Sequence, residues 1–121
     1  MARILVIEDE ANIRSNLLRF VRLEGHEALE APDGDTGLQA ARDHLPDLIF
    51  CDVMMPRMSG LEVLAALQAE PALKQIPLVF LSASAESERL DEALRLGASA
   101  YVTKPFNFAQ LQAVLKQYLP K

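Results

Sequence analysis

Charged side chains stand directly after two aliphatic runs, and they are the first candidates for chemistry. Glu8 and Asp9 follow the run Arg3–Ile7. Asp52 follows a second run, Leu48–Cys51. Short continuous apolar runs are typical of strands buried on both faces of a parallel sheet, and open α/β folds bind ligands at the carboxyl ends of such strands. Asp is also common in loops, so Asp52 by itself indicates a ligand site or a simple turn about equally.

A hydroxyl group and an ammonium group end two later runs. Ser82 follows Pro77–Leu81, and Lys104 comes shortly after Ser99–Val102. If the acidic side chains meet in one cleft, each pair repels by roughly 4 kcal/mol at about 4 Å, and each acid raises the pKa of its neighbours. A hard divalent cation removes this penalty, and Mg²⁺ suits a site of a few carboxylates, waters and a phosphoryl oxygen better than Ca²⁺ does.

The charges of this set balance. Glu8, Asp9 and Asp52 carry three negative charges, and Mg²⁺ together with Lys104 carries three positive ones. A site balanced in this way favours transfer of a phosphoryl group to a carboxylate, because the metal and the lysine neutralise the phosphoryl oxygens. Asp52 follows the run expected in the middle of the sheet, so we predict that Asp52 is the nucleophile.

A strand followed by a helix, repeated five times, positions these side chains. The alternation has no internal linker, which predicts one α/β domain, residues 1–121, with a parallel sheet and right-handed crossovers. The wholly apolar strands belong at the centre, whereas the alternating strand His26–Ala31 belongs at an edge. This predicts a doubly wound, flavodoxin-like sheet of five strands in the order 2-1-3-4-5 with five helices. The helices are expected at about Ala11–Glu24, Thr36–His44, Gly60–Ala69, Glu86–Leu96 and Asn107–Leu119, and the last should bury Phe108.

Composition excludes several classes of protein. The 121 residues are 50% hydrophobic and 24% charged, with a net charge of −5, as is typical of a globular domain. The acidic balance lacks the basic face needed for direct binding to nucleic acid or to an anionic membrane. Cys51 has no partner for an intrachain disulfide and is expected to be buried. No apolar stretch is long enough to span a membrane, and the first residues do not form a signal peptide, so we expect a cytoplasmic protein.

The motifs at the strand ends resemble one known family. The chain is similar, over essentially its whole length, to the response regulator receiver domain, the phosphoacceptor module of two-component signalling. Any one of the matching segments is a weak signal, but their order along the chain is specific. The segments that carry the resemblance are Ile4–Glu10, Asp52–Gly60, Leu81–Ala83 and Gly97–Phe106.

The resemblance implies a Mg²⁺ site. Asp9 and Asp52 would bind the ion directly, Glu8 would bind it through a water molecule, and Met54 would contribute its backbone carbonyl.

The resemblance also implies how a phosphoryl group is held. Asp52 would be the phosphoacceptor, and Lys104 and Ser82 would contact the phosphoryl oxygens. The backbone amides of Val53 and Ala83 would assist.

A conformational switch is part of the same resemblance. Tyr101 would move inward as Ser82 is drawn to the phosphoryl group, and the peptide bond between Lys104 and Pro105 would be cis. A simpler interpretation of Tyr101 is an edge-strand aromatic residue that covers the last helix.

The implied partners are a sensor histidine kinase or a phosphotransfer protein as donor, and a downstream target or output domain that reads the switched surface. A small phosphodonor would also serve. That surface is formed by Glu86–Leu96, Ser99–Val102 and the last helix. The domain would catalyse only its own phosphorylation and dephosphorylation. It would be a monomer or a weak phosphorylation-dependent dimer.

Two other functions stay open at this point. A phosphorylation-independent interaction module would share the fold, but it would typically have lost Asp52 or Lys104, and both are present. A Mg²⁺-dependent phosphohydrolase would also use an aspartyl nucleophile. It usually needs a second acid two residues later, where this chain has Met54.

Overall fold

The computed structural model describes residues 1–83 and 87–119. It shows one sheet of five parallel strands in the order β2-β1-β3-β4-β5, which confirms the predicted topology. The strands are β1 (Arg3–Ile7), β2 (Glu27–Ala31), β3 (Leu48–Asp52), β4 (Leu78–Ala83) and β5 (Ala100–Lys104).

A helix follows each strand, also as predicted. The α2 helix begins two residues earlier than expected, because the Asp33 carboxylate accepts a hydrogen bond from the backbone N–H of Thr36 at 2.8 Å and so caps the helix at Asp33. The expected start of the fourth helix, Glu86, lies outside the described residues. The helices are α1 (Ala11–Leu23), α2 (Gly34–His44), α3 (Gly60–Gln68), α4 (Ser87–Leu96) and α5 (Phe108–Tyr118).

Three strands extend beyond their predicted ends: β3 runs through Asp52, β4 through Ala83 and β5 through Lys104. Ser82 and Ala83 belong to β4, and they pair with Thr103 and Lys104 of β5. The sequence pattern ends each strand where the apolar run ends, but the sheet ladder is made by backbone groups, which polar residues also supply. Ser82 and Lys104 are therefore held by strand backbone and not by a loop.

The sheet buries side chains on both faces. Ile4, Val6 and Phe50 pack with α1 and α5 on one face. Leu5 and Ile49, one position along their strands, pack with α2 and α3 on the other face. Alternate side chains of a strand point to opposite faces, so the central strands are apolar throughout.

The prediction that α5 buries Phe108 is wrong. Its side chain is 47% exposed. Phe108 is the first residue of α5, and its ring lies at the rim of the core with its centroid 5.0 Å from that of Phe20. The first turn therefore contributes a partial aromatic contact, and Leu111 and Leu115 supply the buried face of the helix.

Gly60 allows α3 to begin close to the end of β3. A Cβ at this position would collide with the carbonyl oxygen of Asp52 and would lie 2.8 Å from the ring of Phe80. Backbone atoms and a packed ring have little room to move. A glycine is therefore required where the chain passes from the candidate nucleophile into the helix.

We expect Gly60→Ala to lower the free energy of unfolding by roughly 2 kcal/mol, because overpacking against fixed atoms forces the backbone apart. Gly34→Ala is the matched control, since Gly34 is also the first residue of a helix. The three atoms nearest to a Cβ at Gly34 all belong to the Met58 side chain, at 2.9–3.0 Å. Met58 lies in a loop, which can yield more easily than the strand carbonyl and the packed ring at Gly60, so we expect a smaller loss. Denaturant unfolding of both variants measures the difference, and equal losses would contradict the assignment.

Candidate functional site

Carboxylates converge at the carboxyl ends of β1 and β3. Glu8 and Asp9 directly follow β1, and Asp52 is the last residue of the neighbouring strand β3. One carboxylate oxygen from each residue lies within 4.8 Å of the others. Glu8 is fully buried and Asp52 is 6% exposed, whereas Asp9 is exposed to solvent. The three acids grouped by the sequence pattern therefore lie in one cluster. Two of them, Glu8 and Asp52, are buried, where a charge is poorly hydrated.

Lys104 reaches these carboxylates from the other edge of the sheet. It is the last residue of β5, and its Nζ lies 3.3 Å from Oε1 of Glu8 and 3.3 Å from Oδ1 of Asp52. One ammonium group thus faces two buried carboxyl groups. The peptide bond between Lys104 and Pro105 is cis, as the resemblance implied.

Burial governs the protonation of these groups. Burial and contact with the Asp52 carboxyl raise the pKa of Glu8 to about 7, against the smaller opposing effects of the Glu10 backbone and Lys104. Burial likewise raises the pKa of Asp52, although contacts with Glu8 and Lys104 oppose this shift. Burial acts to lower the pKa of Lys104, but the attraction of Asp52 and Glu8 outweighs it, and the pKa is raised. Glu8 is therefore partly protonated near neutral pH without a metal.

Backbone hydrogen bonds hold the chain around Asp52. The N–H of Val53 donates to the carbonyl of Leu81 at 3.2 Å, and the N–H of Gly60 donates to the carbonyl of Val53 at 2.9 Å. The Val53 amide is thus engaged within the sheet, and its contact with a phosphoryl oxygen stays a prediction. Cys51 is fully buried, as expected, and burial raises the pKa of its thiol.

Ser82 and Tyr101 lie on the two strands at the lysine side of the site. Ser82 is 1% exposed and its strand neighbour is Thr103, whereas Tyr101 is 40% exposed and pairs with Phe80. Val102 packs into the core beneath α1 and α5. Tyr101 is adjacent to Val102 in the strand and so faces away from α5, which argues against the simpler interpretation that Tyr101 covers the last helix.

The acidic residues have the donor set that a hard divalent cation requires. All the ligand atoms of this cluster are carboxylate oxygens. The buried Oε1 of Glu8 makes no well-aligned hydrogen bond within the described ranges, and its charged neighbour is Nζ of Lys104 at 3.3 Å. One ammonium group shared by two buried carboxylates leaves an excess of negative charge, which is costly unless a further cation or a proton neutralises it. Mg²⁺ keeps several waters and takes few carboxylates, which fits a site where Asp9 is open to solvent. The remaining predicted donor, the carbonyl of Met54, belongs to the loop that directly follows β3.

Sequence reasoning missed Arg14. Its guanidinium Nη1 donates to the backbone carbonyl of Glu8 at 2.8 Å, and its Nε donates to Oε1 of Glu30 at 3.1 Å. Arg14 lies in an amphipathic helix, where an arginine usually faces water. The available sequence signal was its spacing, three and four positions before Leu17 and Leu18, which places Arg14 beside the apolar face of the helix.

Comparison with known proteins identifies the family and agrees with the fold. Residues 4–116 match the family model of the response regulator receiver domain. The chain is 38% identical over 122 residues to the phosphate regulon transcriptional regulatory protein PhoB of Klebsiella pneumoniae, covering 98% of this chain and 53% of PhoB. It is 40% identical over 111 residues to the transcriptional regulatory protein PdtaR of Mycobacterium tuberculosis, covering 90% of this chain and 52% of PdtaR.

Solved structures show the same fold. The chemotaxis protein CheY4 of Vibrio cholerae superposes with a TM-score of 0.92 at 31% identity, covering 98% of this chain and 99% of CheY4. The receiver domain of NtrX from Brucella abortus superposes with a TM-score of 0.90 at 33% identity, covering 96% of this chain and 97% of that domain.

The doubly wound parallel sheet, with carboxylates and a lysine at its carboxyl edge, is that of a flavodoxin-like α/β domain with a charged site at the strand ends. The chain belongs to the response regulator receiver domain family of two-component signalling. Members of this family interact with histidine kinases and with downstream effector domains.

The chain spans about half the length of the curated relatives PhoB and PdtaR. Both relatives are named as transcriptional regulators, so the expectation that nucleic acid is not a direct partner applies to these 121 residues alone. Among the described helices, none combines the length and the apolar character needed to cross a bilayer.

The raised pKa of Glu8 predicts a pH-dependent stability of the metal-free domain. An acid whose pKa is about 7 in the folded state and 4.5 unfolded stabilises the fold below pH 4.5, and this contribution is lost as the pH rises through 7. We expect the free energy of unfolding of the wild type, relative to Glu8→Gln, to fall by on the order of 1–3 kcal/mol over this interval.

Denaturant unfolding in EDTA at several pH values measures this difference. Glu10→Gln is the control, because Glu10 is nearby but exposed. If the wild type and Glu8→Gln follow parallel pH profiles, Glu8 does not titrate as proposed.

Proposed function

We propose that the domain accepts a phosphoryl group on the Asp52 carboxylate from a histidine kinase, a phosphotransfer protein or a small phosphodonor. Mg²⁺ would be bound directly by Asp9 and Asp52 and through a water molecule by Glu8. The observation that carries this proposal is the Nζ of Lys104 at 3.3 Å from both Glu8 and Asp52, beside the exposed Asp9. A nucleophile, a cation and a metal-binding set are thus present in one cleft.

The residues of the cleft divide the chemistry between them. An oxygen of Asp52 attacks the phosphorus atom, a new P–O bond forms, and the bond between phosphorus and the donor group breaks. Lys104 neutralises charge on the transferring oxygens. When bound, Mg²⁺ supplies Lewis-acid stabilisation of that charge. Glu8 and Asp9 provide the anionic oxygens that hold it, with the carbonyl of Met54 as a further donor.

Phosphorylation changes the partners of Lys104. A phosphoryl group adds about two negative charges, so the ammonium group exchanges its shared contact with Glu8 and Asp52 for the phosphoryl oxygens. Ser82 donates its hydroxyl to the phosphoryl group, and the amide of Ala83 assists. Tyr101, which is 40% exposed, then moves inward. These shifts bias two pre-existing conformations of the domain.

The surface that changes is formed by α4, β5 and α5, and a downstream target or output domain reads it. β5 carries both Lys104 and Tyr101, so one strand links the charge change to the exposed surface. The domain acts as a switch and catalyses only its own phosphorylation and dephosphorylation.

The alternative functions lack a supporting feature. A phosphohydrolase would need a proton donor two residues after Asp52, and Met54, with 53% of its surface exposed, carries a thioether that cannot donate one. A phosphorylation-independent module has no use for a buried lysine–carboxylate cluster, which is costly to maintain.

Incubation with acetyl phosphate and Mg²⁺, followed by intact mass measurement, tests the acceptor. We expect one phosphoryl adduct on the wild type and none on Asp52→Asn, because an amide is a poor nucleophile. Asp35→Asn is the control, since Asp35 is an exposed aspartate of α2. An adduct that persists in Asp52→Asn would assign the site to another residue.

Lys104→Met separates metal binding from phosphoryl transfer. We expect phosphorylation by acetyl phosphate to slow by roughly 100-fold, because the developing negative charge loses its cation. Mg²⁺ should bind more tightly, because the ion no longer meets a neighbouring positive charge. Lys116→Met, which removes an exposed lysine of α5, should change neither property. Loss of Mg²⁺ binding in Lys104→Met would argue that Lys104 organises the carboxylates and does not oppose the ion.

A further inference from the structure

Arg14 links three elements around the metal-binding loop. Its side chain is only 19% exposed, and it reaches from α1 to the backbone carbonyl of Glu8 (2.8 Å) and to the carboxylate of Glu30 on the edge strand β2 (3.1 Å). Burying a guanidinium group is costly unless its donors are used. The hydrogen bond from Arg14 to the Glu8 carbonyl therefore offsets part of the cost of burying the guanidinium group.

The backbone of Glu8 is held from both sides. Its N–H donates to the carbonyl of Ala31 at 3.1 Å, and its carbonyl accepts from Arg14. The N–H belongs to the peptide unit before the Glu8 Cα and the carbonyl to the unit that joins Glu8 to Asp9. Of the two bonds, the one from Arg14 therefore orients the Glu8–Asp9 peptide, from which the Asp9 side chain follows.

The loop before α1 is not held by a side-chain cap on the helix. The residue before α1 is Glu10, and its side chain makes no capping hydrogen bond. α2, α3 and α5, by contrast, each begin with a side-chain cap. The loop that carries Asp9 is therefore fixed by Arg14 and by the contact between the Glu10 N–H and Oε2 of Glu8 at 3.2 Å.

We propose that Arg14 is a positioning residue for the Mg²⁺ pocket, which it serves by orienting the Glu8–Asp9 peptide. The inference rests on the proposed function, because it takes Asp9 to be a metal ligand. Arg14 itself touches neither the ion nor the phosphoryl group.

The direction of the effect separates this role from a simple charge effect. Arg14 is a cation near a cation site, so if only its charge mattered, its removal would tighten Mg²⁺ binding. If Arg14 positions the loop, its removal weakens Mg²⁺ binding. Partners that orient metal ligands typically contribute a factor of about 10 or more in affinity.

The experiment is a Mg²⁺ titration followed by backbone amide NMR shifts near Asp9 and Asp52 at near-physiological salt, where remote surface charges are screened. We expect the Kd of Arg14→Met to rise roughly tenfold. Arg19→Met is the control, because Arg19 is an exposed arginine of the same helix, and its Kd should stay within about twofold of the wild type. Arg14→Lys should fall between the wild type and Arg14→Met, since an ammonium group can reach the carbonyl but cannot also hold Glu30.

Thermal unfolding without Mg²⁺ distinguishes a purely structural role. In a purely structural role, Arg14→Met would unfold at a lower temperature but would bind Mg²⁺ at least as tightly as Arg19→Met does. That result would overturn the inference. If Arg14→Met does not fold, Arg14→Lys decides: weaker binding than the wild type supports the role, and equal binding overturns it. If the wild type takes up no Mg²⁺, the proposed function and this inference are both overturned. If the wild type binds Mg²⁺ and Arg14→Met binds it with the same Kd, only the inference is overturned.

Discussion

The contact on which the site depends is one ammonium group held between two buried carboxyl groups. Nζ of Lys104 lies at 3.3 Å from both Glu8 and Asp52. Two acids this deeply buried repel each other and are poorly hydrated, so the fold tolerates them only with a cation or a proton between them. Burial raises the pKa of both Glu8 and Asp52, and Lys104 is the cation that lies between them.

The rest of the fold serves to place these groups and to keep them in place. The strand order brings β1 beside β3, so acids from distant parts of the sequence become neighbours. The register of β4 and β5 sets Lys104 opposite Ala83, from where the long side chain extends to Asp52. Close-packed apolar side chains on both faces of the sheet make this frame rigid. The side chains at the strand ends are therefore held in fixed relative positions by the sheet beneath them.

Family membership and electrostatics are independent lines of argument that agree. The match to receiver domains rests on sequence and on superposition over almost the whole chain. The charge interaction of Lys104 with Glu8 and Asp52 rests on distances and burial alone. The relatives PhoB and PdtaR are about twice as long as this chain.

The sequence by itself determined the fold class, the strand order and the identity of the clustered residues. Buried parallel strands must be apolar throughout, so Asp52 and the acids after Ile7 stand out wherever an apolar run ends. Only the tertiary structure decided that Glu8 is fully buried while Asp9 is exposed, because burial depends on what packs over a loop. It also decided that Lys104 contacts both acids and that Arg14 holds the Glu8 carbonyl. Lys104 is far from Glu8 and Asp52 in the sequence, and Arg14 turns inward from a surface helix. No local pattern of residue types encodes the direction in which such side chains point.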